Sequence, residues 1–579
     1  MDNLENIRHS LAHLLAAAIL KKYPKTKLGI GPTIESGFYY DFLFKENLAP
    51  EDLADLEKEI KKLIADNLPF KGKKVTPAEA KKLFKDQPFK LDLIKEFAKE
   101  KKQLTVYSTG DIFLDLCRGG HVKNTSEINP DAFKLTHLAG AYWRGDEKNP
   151  QLQRVYGAAF ETKEELDKYL WQQEEAKKRD HRLLGEKLKL FTFAKEVGPG
   201  LPLWLPNGAV LREEIEKYAK EVERRWGYSR TITPHIAKEE LYKMSGHLPY
   251  YADSMYPAMK LDDGNYYLKA MNCPHTHMIY KAEPHSYKEL PIRYAEFGTV
   301  YRHELSGTLV GLLRTRGFTQ NDAHIYCRED QVEEEFLKVM KLHEFWYKEV
   351  FGIQDFYMRL SLPSKDKTKY AQAPAGWKKS VVMIKNAMEK SGLPFEEAEG
   401  EAAFYGPKVD FQIKSVIGRE ETASTNQLDF LAAERFNLTY KDSDGKDKPV
   451  YVIHRAPLGS HERFIAFLIE HYAGAFPTWL APVQAAILPI AERHSDYAKG
   501  VLEKLNIDGF RVKLFDQGDT LNKRIREAET QKIPYILIVG DKEKDSDAVA
   551  VRKRTDGDLG AMPTEKFVEL LKKETALKF

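Results

Sequence analysis

Cysteine is nearly missing from this chain: only Cys117, Cys273 and Cys327 occur among 579 residues. A disulfide framework is thereby excluded, and a reducing compartment is favoured. Long hydrophobic runs are also missing. The longest near the start, Leu14 to Leu20, falls far short of the roughly 20 residues a membrane span needs, so no membrane partner is expected. The opening Met-Asp-Asn-Leu-Glu has no basic region, which predicts no secretory leader and a cytoplasmic protein. Surplus charge of one sign is lacking too: 90 Lys and Arg against 87 Asp and Glu leave +3. A histone-like polycation is excluded, whereas a local basic surface for nucleic acid is not. Fixed-period repeats and low-complexity tracts are absent from the sequence. What is there is ample core material, with 42% hydrophobic and 11% aromatic residues. Disorder is excluded for most of the chain, and the length suggests about four domains.

Helical spacing runs from 4 to 22 through Leu4, Ile7, Leu11, Leu14, Leu15 and Ala18. A turn at 29–33 precedes a strand that begins at Gly37. Residues 50–102 are Lys/Glu-rich with helical spacing and read as a solvated face; 104–160 turns strand-like. We therefore expect a first domain over 1–160 and a charged connecting helix over 161–190. The Gly198-Pro-Gly punctuation opens a region, to 478, of helices and strands without regular alternation. That argues for a mostly antiparallel sheet over 191–478. From 479 to 579 strand and helix alternate, with strands at 484–490, 510–515 and 535–539, so a small α/β domain closes the chain.

Two sets of His and Cys residues stand out. His9 and His13 lie four apart on one helix face, and Cys117 and His121 share that spacing. Together they suit a metal site, a polar catalytic pocket, or ordinary hydrogen-bonded histidines. An HExxH protease is disfavoured because Ser10 stands where its glutamate belongs. Cys273, His324 and His454 are scattered, with gaps of 51 and 130 residues that fit no local zinc finger. Arginines cluster at Arg302, Arg314 and Arg316, and at Arg455 and Arg463, beside glycines. Guanidinium forks suit phosphate and stack on flat rings. Neither GxxxxGK[ST] nor a strand-linked GxGxxG occurs, so a nucleotide site here is not of P-loop or Rossmann type.

Three segments in order carry a resemblance: Phe297-Gly-Thr-Val-Tyr-Arg302-His-Glu304, Arg314-Thr-Arg-Gly-Phe318-Thr-Gln320-Asn-Asp322-Ala-His324, and Gly459-Ser-His-Glu-Arg463. They resemble motifs 2 and 3 of class II aminoacyl-tRNA synthetases, with Pro234 similar to the motif 1 proline. Met-Asn-Cys273-Pro and Ile-His454-Arg narrow the resemblance to the threonyl family, over essentially the whole chain. It implies an α+β multidomain fold. An N-terminal α+β editing domain would precede a class II antiparallel-sheet core, followed by a C-terminal α/β anticodon-binding domain. It implies ligation of threonine to tRNA(Thr) at the cost of ATP, with Mg2+ beside the phosphates, in a homodimer that pairs through motif 1.

By the same resemblance Cys273, His324 and His454 are zinc ligands. Gln320, Asp322, Tyr405 and Lys408 line the threonine pocket. Arg302 takes the α-phosphate, Glu304 the adenine side, Phe318 the adenine face, and Arg314 and Arg463 the γ-phosphate. Gln427 joins the catalytic set, and His247 matches a histidine implicated in transfer to the tRNA. His9, His13, Lys90, Asp115, Cys117 and His121 form the editing pocket for seryl-tRNA(Thr), in this family without metal. Glu543 and Arg552 match anticodon-reading positions. The family pattern is broken at four places. Thr422 stands where glutamine is usual, His275-Thr276-His277 replaces Gly-His, and Gly120 replaces proline. The chain also reads as lacking the family's small extra N-terminal domain.

Overall fold

In the computed structural model, residues 3–364, 370, 372–415, 418, 420–516 and 518–579 are described. The chain divides within the helix Lys163–Arg179 into one unit ending at Glu174 and another beginning at Glu175.

In the N-terminal unit the helix Asn3–Lys22 is buried along nearly its whole length, through Leu11, Leu14, Leu15 and Ile19 and the small Ala12, Ala16, Ala17 and Ala18. Alanines let it lie close against the antiparallel sheet formed by Gly37–Leu43, Gln151–Ala159 and Phe133–Tyr142, whose Phe38, Tyr40 and Phe42 face it. The Lys/Glu-rich stretch is not helical throughout. It folds as helices Asp52–Ala65, Pro77–Leu83 and Pro88–Lys99, with a strand, Phe70–Val75, between the first two. That strand pairs with Leu104–Thr109, which pairs with Phe113–Leu116. Its four middle residues are exposed, so lysines suit it, and Gly72 lies under the Tyr107 ring, where a Cβ would come within 2.5 Å. A Thr76–Glu79 capping box with Pro77 then starts the next helix.

The stretch read as one connecting helix is two, Lys163–Arg179 and His181–Lys187. Asp180 breaks between them and caps the second, its Oδ1 accepting the Arg182 N–H at 2.8 Å. Beyond it an eight-stranded sheet runs in the order Ser229–Arg230, Ile292–Tyr301, Gly317–Cys327, Tyr451–Ala456, Glu420–Asp429, Lys408–Lys414, Phe356–Leu362, Phe395–Glu399. The five inner pairings are antiparallel, as expected; the pair at each edge is parallel. Helices Pro206–Arg225, Val332–Glu344 and His461–His471 join its largest core cluster.

The last hundred residues form a five-stranded sheet in the order Val512–Leu514, Ala485–Pro489, Tyr535–Val539, Ala548–Lys553, Gly557–Pro563. The first three are parallel and the last two antiparallel. Helices Ser495–Ile507, Leu521–Thr530 and Thr564–Thr575 accompany it, so the expected α/β region is present with a mixed sheet. Among the described residues no helix is long and apolar enough to cross a membrane.

Candidate functional site

The strand Gly317–Cys327 carries Phe318, Gln320, Asp322 and His324 at alternate positions, so all four share one face. Sheet register then extends a row sideways from its end. His324 faces His454 on the next strand, His454 faces Gln427 on the one after, and Gln427 faces Lys408. The His324 and His454 rings meet edge to face with centroids 4.8 Å apart. Cys273 enters from above at the start of the helix Cys273–Lys281, and its sulfur joins the two imidazoles in a group whose ligand atoms all lie within 4.8 Å. Asn272 seats that helix start: its Nδ2 donates to Asp322 Oδ2 at 2.9 Å, and it rests on Gly298, where a Cβ would come within 2.2 Å.

The donor set suits a soft divalent cation. A thiol and two imidazoles converge, and His324 Nδ1 is buried with no hydrogen-bond partner. Burial pushes the Cys273 thiol well up and the His324 imidazole well down. Imidazole is therefore neutral and ready to ligate, while the thiolate needs a cation beside it to form. His454 is backed by Asp429, whose Oδ2 lies 3.4 Å from His454 Nε2. Asp429 has no assigned role in the sequence reading, and its partner lies 25 residues away with no local spacing to announce it.

Of the unusual histidines, His277 stands beside this group. With Asp429 and His454 it forms a second candidate trio, and its Nδ1 pairs with the Tyr326 hydroxyl at 2.9 Å. His275 belongs to none of the candidate metal groups found among the described residues; its ring meets Tyr242 instead. Thr276 Oγ1 donates to the buried Glu296.

Tyr405 donates its hydroxyl to Gln427 Oε1. Lys408 is held by Asp410 at 2.8 Å, and Asp410 accepts from Thr425 Oγ1 at 2.7 Å. A bulge between Phe411 and Gln412 leaves Ala423 unpaired, so Thr422 returns to the face shared by Thr425 and Gln427. Its Oγ1 lies 2.9 Å from Gln412 Nε2. Gly459, at φ +53°, lets the chain pass the bulge, where a Cβ would sit 2.4 Å from the Ala423 carbonyl oxygen.

Arg302 lies over the Phe318 ring at 5.1 Å and the Tyr251 ring at 5.7 Å, and its Nε donates to the Ala270 carbonyl at 3.4 Å. Arg314 grips Glu304 Oε2 through Nε and a terminal nitrogen at 3.0 and 2.8 Å. Arg463, in the first turn of a helix capped by Ser460, donates Nε to the Leu313 carbonyl at 3.3 Å. His247 is buried; its Nδ1 lies 2.8 Å from Ser245 Oγ, and burial lowers its imidazole to about 4.

In the N-terminal unit His9, His13, Cys117 and His121 come together with ligand atoms all within 4.8 Å. Three of them, His9, His13 and Cys117, open on a cleft of about 660 Å³ that Lys90, Asp115 and Gly120 also line. Cys117 Sγ lies 3.2 Å from His121 Nε2 and 3.4 Å from His9 Nε2. The Ser10 hydroxyl donates to the Asn6 carbonyl at 2.8 Å, so at 3.3 Å its oxygen accepts from His121 Nδ1. His121 Nε2 is then the acceptor that faces the thiol. Burial pushes the Cys117 thiol up to about 11 and the His121 imidazole down to about 2, and lowers His9 and His13 too. At neutral pH this cluster is an uncharged thiol among uncharged imidazoles.

Charge lies one layer below. Lys90 and Asp115, both buried, pair at 2.5 Å, and Asp115 also accepts from the Tyr40 hydroxyl at 2.5 Å and the Leu116 N–H at 2.7 Å. No local spacing links Tyr40 to Asp115, which it reaches across 75 residues. Removing one partner of a buried pair strands the other, at about 3–5 kcal/mol. We therefore expect Lys90→Met to lower the melting transition of the N-terminal unit by about 10 °C. Calorimetry on the whole chain checks this, and an unshifted transition would contradict it.

Near the C-terminus Glu543 accepts the Gly540 N–H at 3.0 Å, while Arg552, on the strand Ala548–Lys553, has a terminal nitrogen 3.9 Å from Glu529. Each is engaged with its own neighbour.

Comparison with known proteins agrees with this architecture. Residues 256–472 match the tRNA synthetase class II core domain of the G, H, P, S and T types. Residues 484–574 match an anticodon binding domain, and 104–156 the second additional domain of threonyl and alanyl tRNA synthetases. The threonine–tRNA ligase of Oceanobacillus iheyensis is 49% identical over 99% of this chain and 88% of its own length. That of Thermotoga maritima is 49% identical over 98% and 88%. Among solved structures, the RNA binding domain of threonyl-tRNA synthetase from Cryptosporidium parvum Iowa II matches 69% of this chain and 99% of its own, at 36% identity and a TM-score of 0.66. With half its residues shared along nearly the whole chain, and with editing-type, core and anticodon-binding domains in this order, the chain belongs to the threonine–tRNA ligases.

Proposed function

We propose that the row on the eight-stranded sheet activates threonine with ATP and passes it to tRNA(Thr), and that the N-terminal cleft hydrolyses seryl-tRNA(Thr). The observation that carries the synthetic half is the alignment of Phe318, Gln320, Asp322 and His324 on one strand face, continued by His454, Gln427 and Lys408.

Asp322 and Gln320 hold the amino acid, with Tyr405 and Lys408 at its side. Phe318 stacks on adenine, with Glu304 at its edge. Arg302 holds the α-phosphate, and Arg314 and Arg463 the γ-phosphate, with Mg2+ accompanying ATP. The threonine carboxylate attacks the α-phosphorus, the bond to the β-phosphate oxygen breaks, and pyrophosphate leaves. Catalysis then consists of in-line placement by Gln427 and Lys408 and of charge neutralisation by arginine. His247 stands by for transfer to the tRNA ribose. Cys273, His324 and His454 would hold zinc. When bound, zinc supplies open positions for the amino and hydroxyl groups of threonine, a demand that valine fails.

Serine passes that demand, since it lacks only a methyl, worth about 1–3 kcal/mol. The N-terminal cluster answers by hydrolysis. An imidazole whose pKa is near 2 is a poor proton acceptor. His9, His13, Cys117 and His121 therefore act by orienting a water and the tRNA hydroxyls, on a base kept rigid by Lys90 and Asp115. Glu543 and Arg552 read anticodon bases in a single-stranded loop.

Exposed Ile232 and Ile236, which flank Pro234, support a homodimer through this surface, and three unpaired cysteines support a cytoplasmic setting. The matched spans, ending at 156 and passing from one to the next between 472 and 484, support domain limits near 160 and 478.

The test is amino-acid-dependent ATP–pyrophosphate exchange by the sized protein, with threonine, serine, valine and proline, before and after zinc chelation. Exchange with threonine, less with serine, none with valine and loss on chelation is expected from a species of twice the chain mass. A Cys117→Ala protein should keep exchange and accumulate seryl-tRNA(Thr). Silence with every amino acid would sink the ligase reading.

A further inference from the structure

We propose that His181 is a positioning residue that sets the turn bearing Arg314 against the helix bearing Arg463. This rests on the reading above that both arginines grip ATP.

His181 is the first residue of its helix and is 2% exposed. Its Nδ1 lies 2.7 Å from Glu470 Oε1, and its backbone N–H points at the same oxygen from 3.3 Å. A carboxylate only accepts, so Nδ1 carries the hydrogen. Nε2 is then an acceptor, and it takes the Leu312 N–H at 3.1 Å. A single neutral imidazole thus joins two elements 158 residues apart, the end of the helix His461–His471 and the turn at 310–314.

The turn is built to lie on that ring. Val310 and Arg314 close it with reciprocal backbone bonds of 3.3 and 3.2 Å. Gly311, at φ +48°, lies so near that a Cβ would sit 2.3 Å from His181 Nε2. Immediately beyond are the Leu313 carbonyl, which accepts from Arg463, and Arg314 itself, which grips Glu304. On the far side Arg179 donates to the His471 carbonyl at 3.0 Å, so the helix end is held independently. A hydrogen bond backed by a carboxylate is among the stronger kinds. Its loss frees the turn, and with it the spacing between two guanidinium groups that must meet one triphosphate.

The experiment uses full-length His181→Ala, His181→Gln and Arg314→Ala proteins, with exchange kinetics at varied ATP and varied threonine. Amide hydrogen exchange at residues 309–315 is measured alongside. His181→Ala should raise KM for ATP about tenfold, the scale of one charge-backed hydrogen bond, and leave KM for threonine within about twofold. The Leu312 amide should exchange about tenfold faster. Glutamine reaches the place of Nε2 with an acceptor oxygen, so His181→Gln should recover most of both effects. Should His181→Ala not fold, Glu470→Gln gives the same reading with a smaller rise. Equal rises in both KM values, or a Leu312 amide as protected as in the parent, would overturn the proposal. Arg314→Ala separates the two ideas: an unchanged KM for ATP there removes the ATP reading, and Leu312 exchange alone then decides the His181 contact.

Discussion

Cys273→Ala and His324→Ala proteins are expected to lose zinc and threonine activation together. Metal content should fall from one ion per chain to near none, and threonine-dependent exchange by about ten-thousandfold or more. That is the scale on which a site that demands a substrate hydroxyl discriminates, and removing the demand removes the site. The expectation follows from the donor set. Burial holds the thiol up, and His324 Nδ1 is buried without a partner, so the protein alone leaves that nitrogen unsatisfied. Asp429→Asn should act more mildly. It keeps the shape behind His454 and removes the charge, and partners behind a metal ligand are worth about 10–100-fold in metal affinity. Elemental analysis of the purified proteins, with exchange assays on the same samples, decides. An alanine variant that keeps both metal and activity would refute the assignment.

Arg302→Ala is expected to lower kcat for exchange by about 100- to 1000-fold, the usual scale for one preorganised group facing developing charge. Arg302→Lys should recover little. Arginine is held in plane here by the Phe318 and Tyr251 rings and by the Ala270 carbonyl. An ammonium keeps the charge and loses the stacking and the fork. KM for threonine should change little, because its proposed contacts lie further along the strand at Gln320 and Asp322. Steady-state kinetics with each substrate varied separates these quantities, and a fall of less than tenfold would remove Arg302 from the α-phosphate.

The place of Thr422, which departs from the family pattern, depends on a bulge in its strand. Counting by twos from Gln427 puts residue 422 on the opposite face of its strand. The bulge at Ala423 restores it to the same face, and Gln412 meets its hydroxyl across the sheet. The linear sequence shows the substitution and hides the bulge, since a bulge depends on how the partner strand pairs. His275 and His277 divide likewise. Two positions apart on a helix point away from each other, so His277 meets Tyr326 while His275 turns to Tyr242.

Periodicity, turn residues and ordered motifs by themselves determined the N-terminal helix, the mostly antiparallel central sheet, the closing α/β region and the family. Each is a local pattern, or a run of them, written along one stretch of chain. The strand at 70–75 escaped because its exposed lysines carry no apolar alternation. Only the tertiary structure decided that His324, His454, Gln427 and Lys408 form one row, that Asp429 stands behind His454, and that Tyr40 completes Asp115. Those pairings are set by strand register and by contacts between residues far apart in the chain, and register is a property of two strands together that neither strand encodes alone.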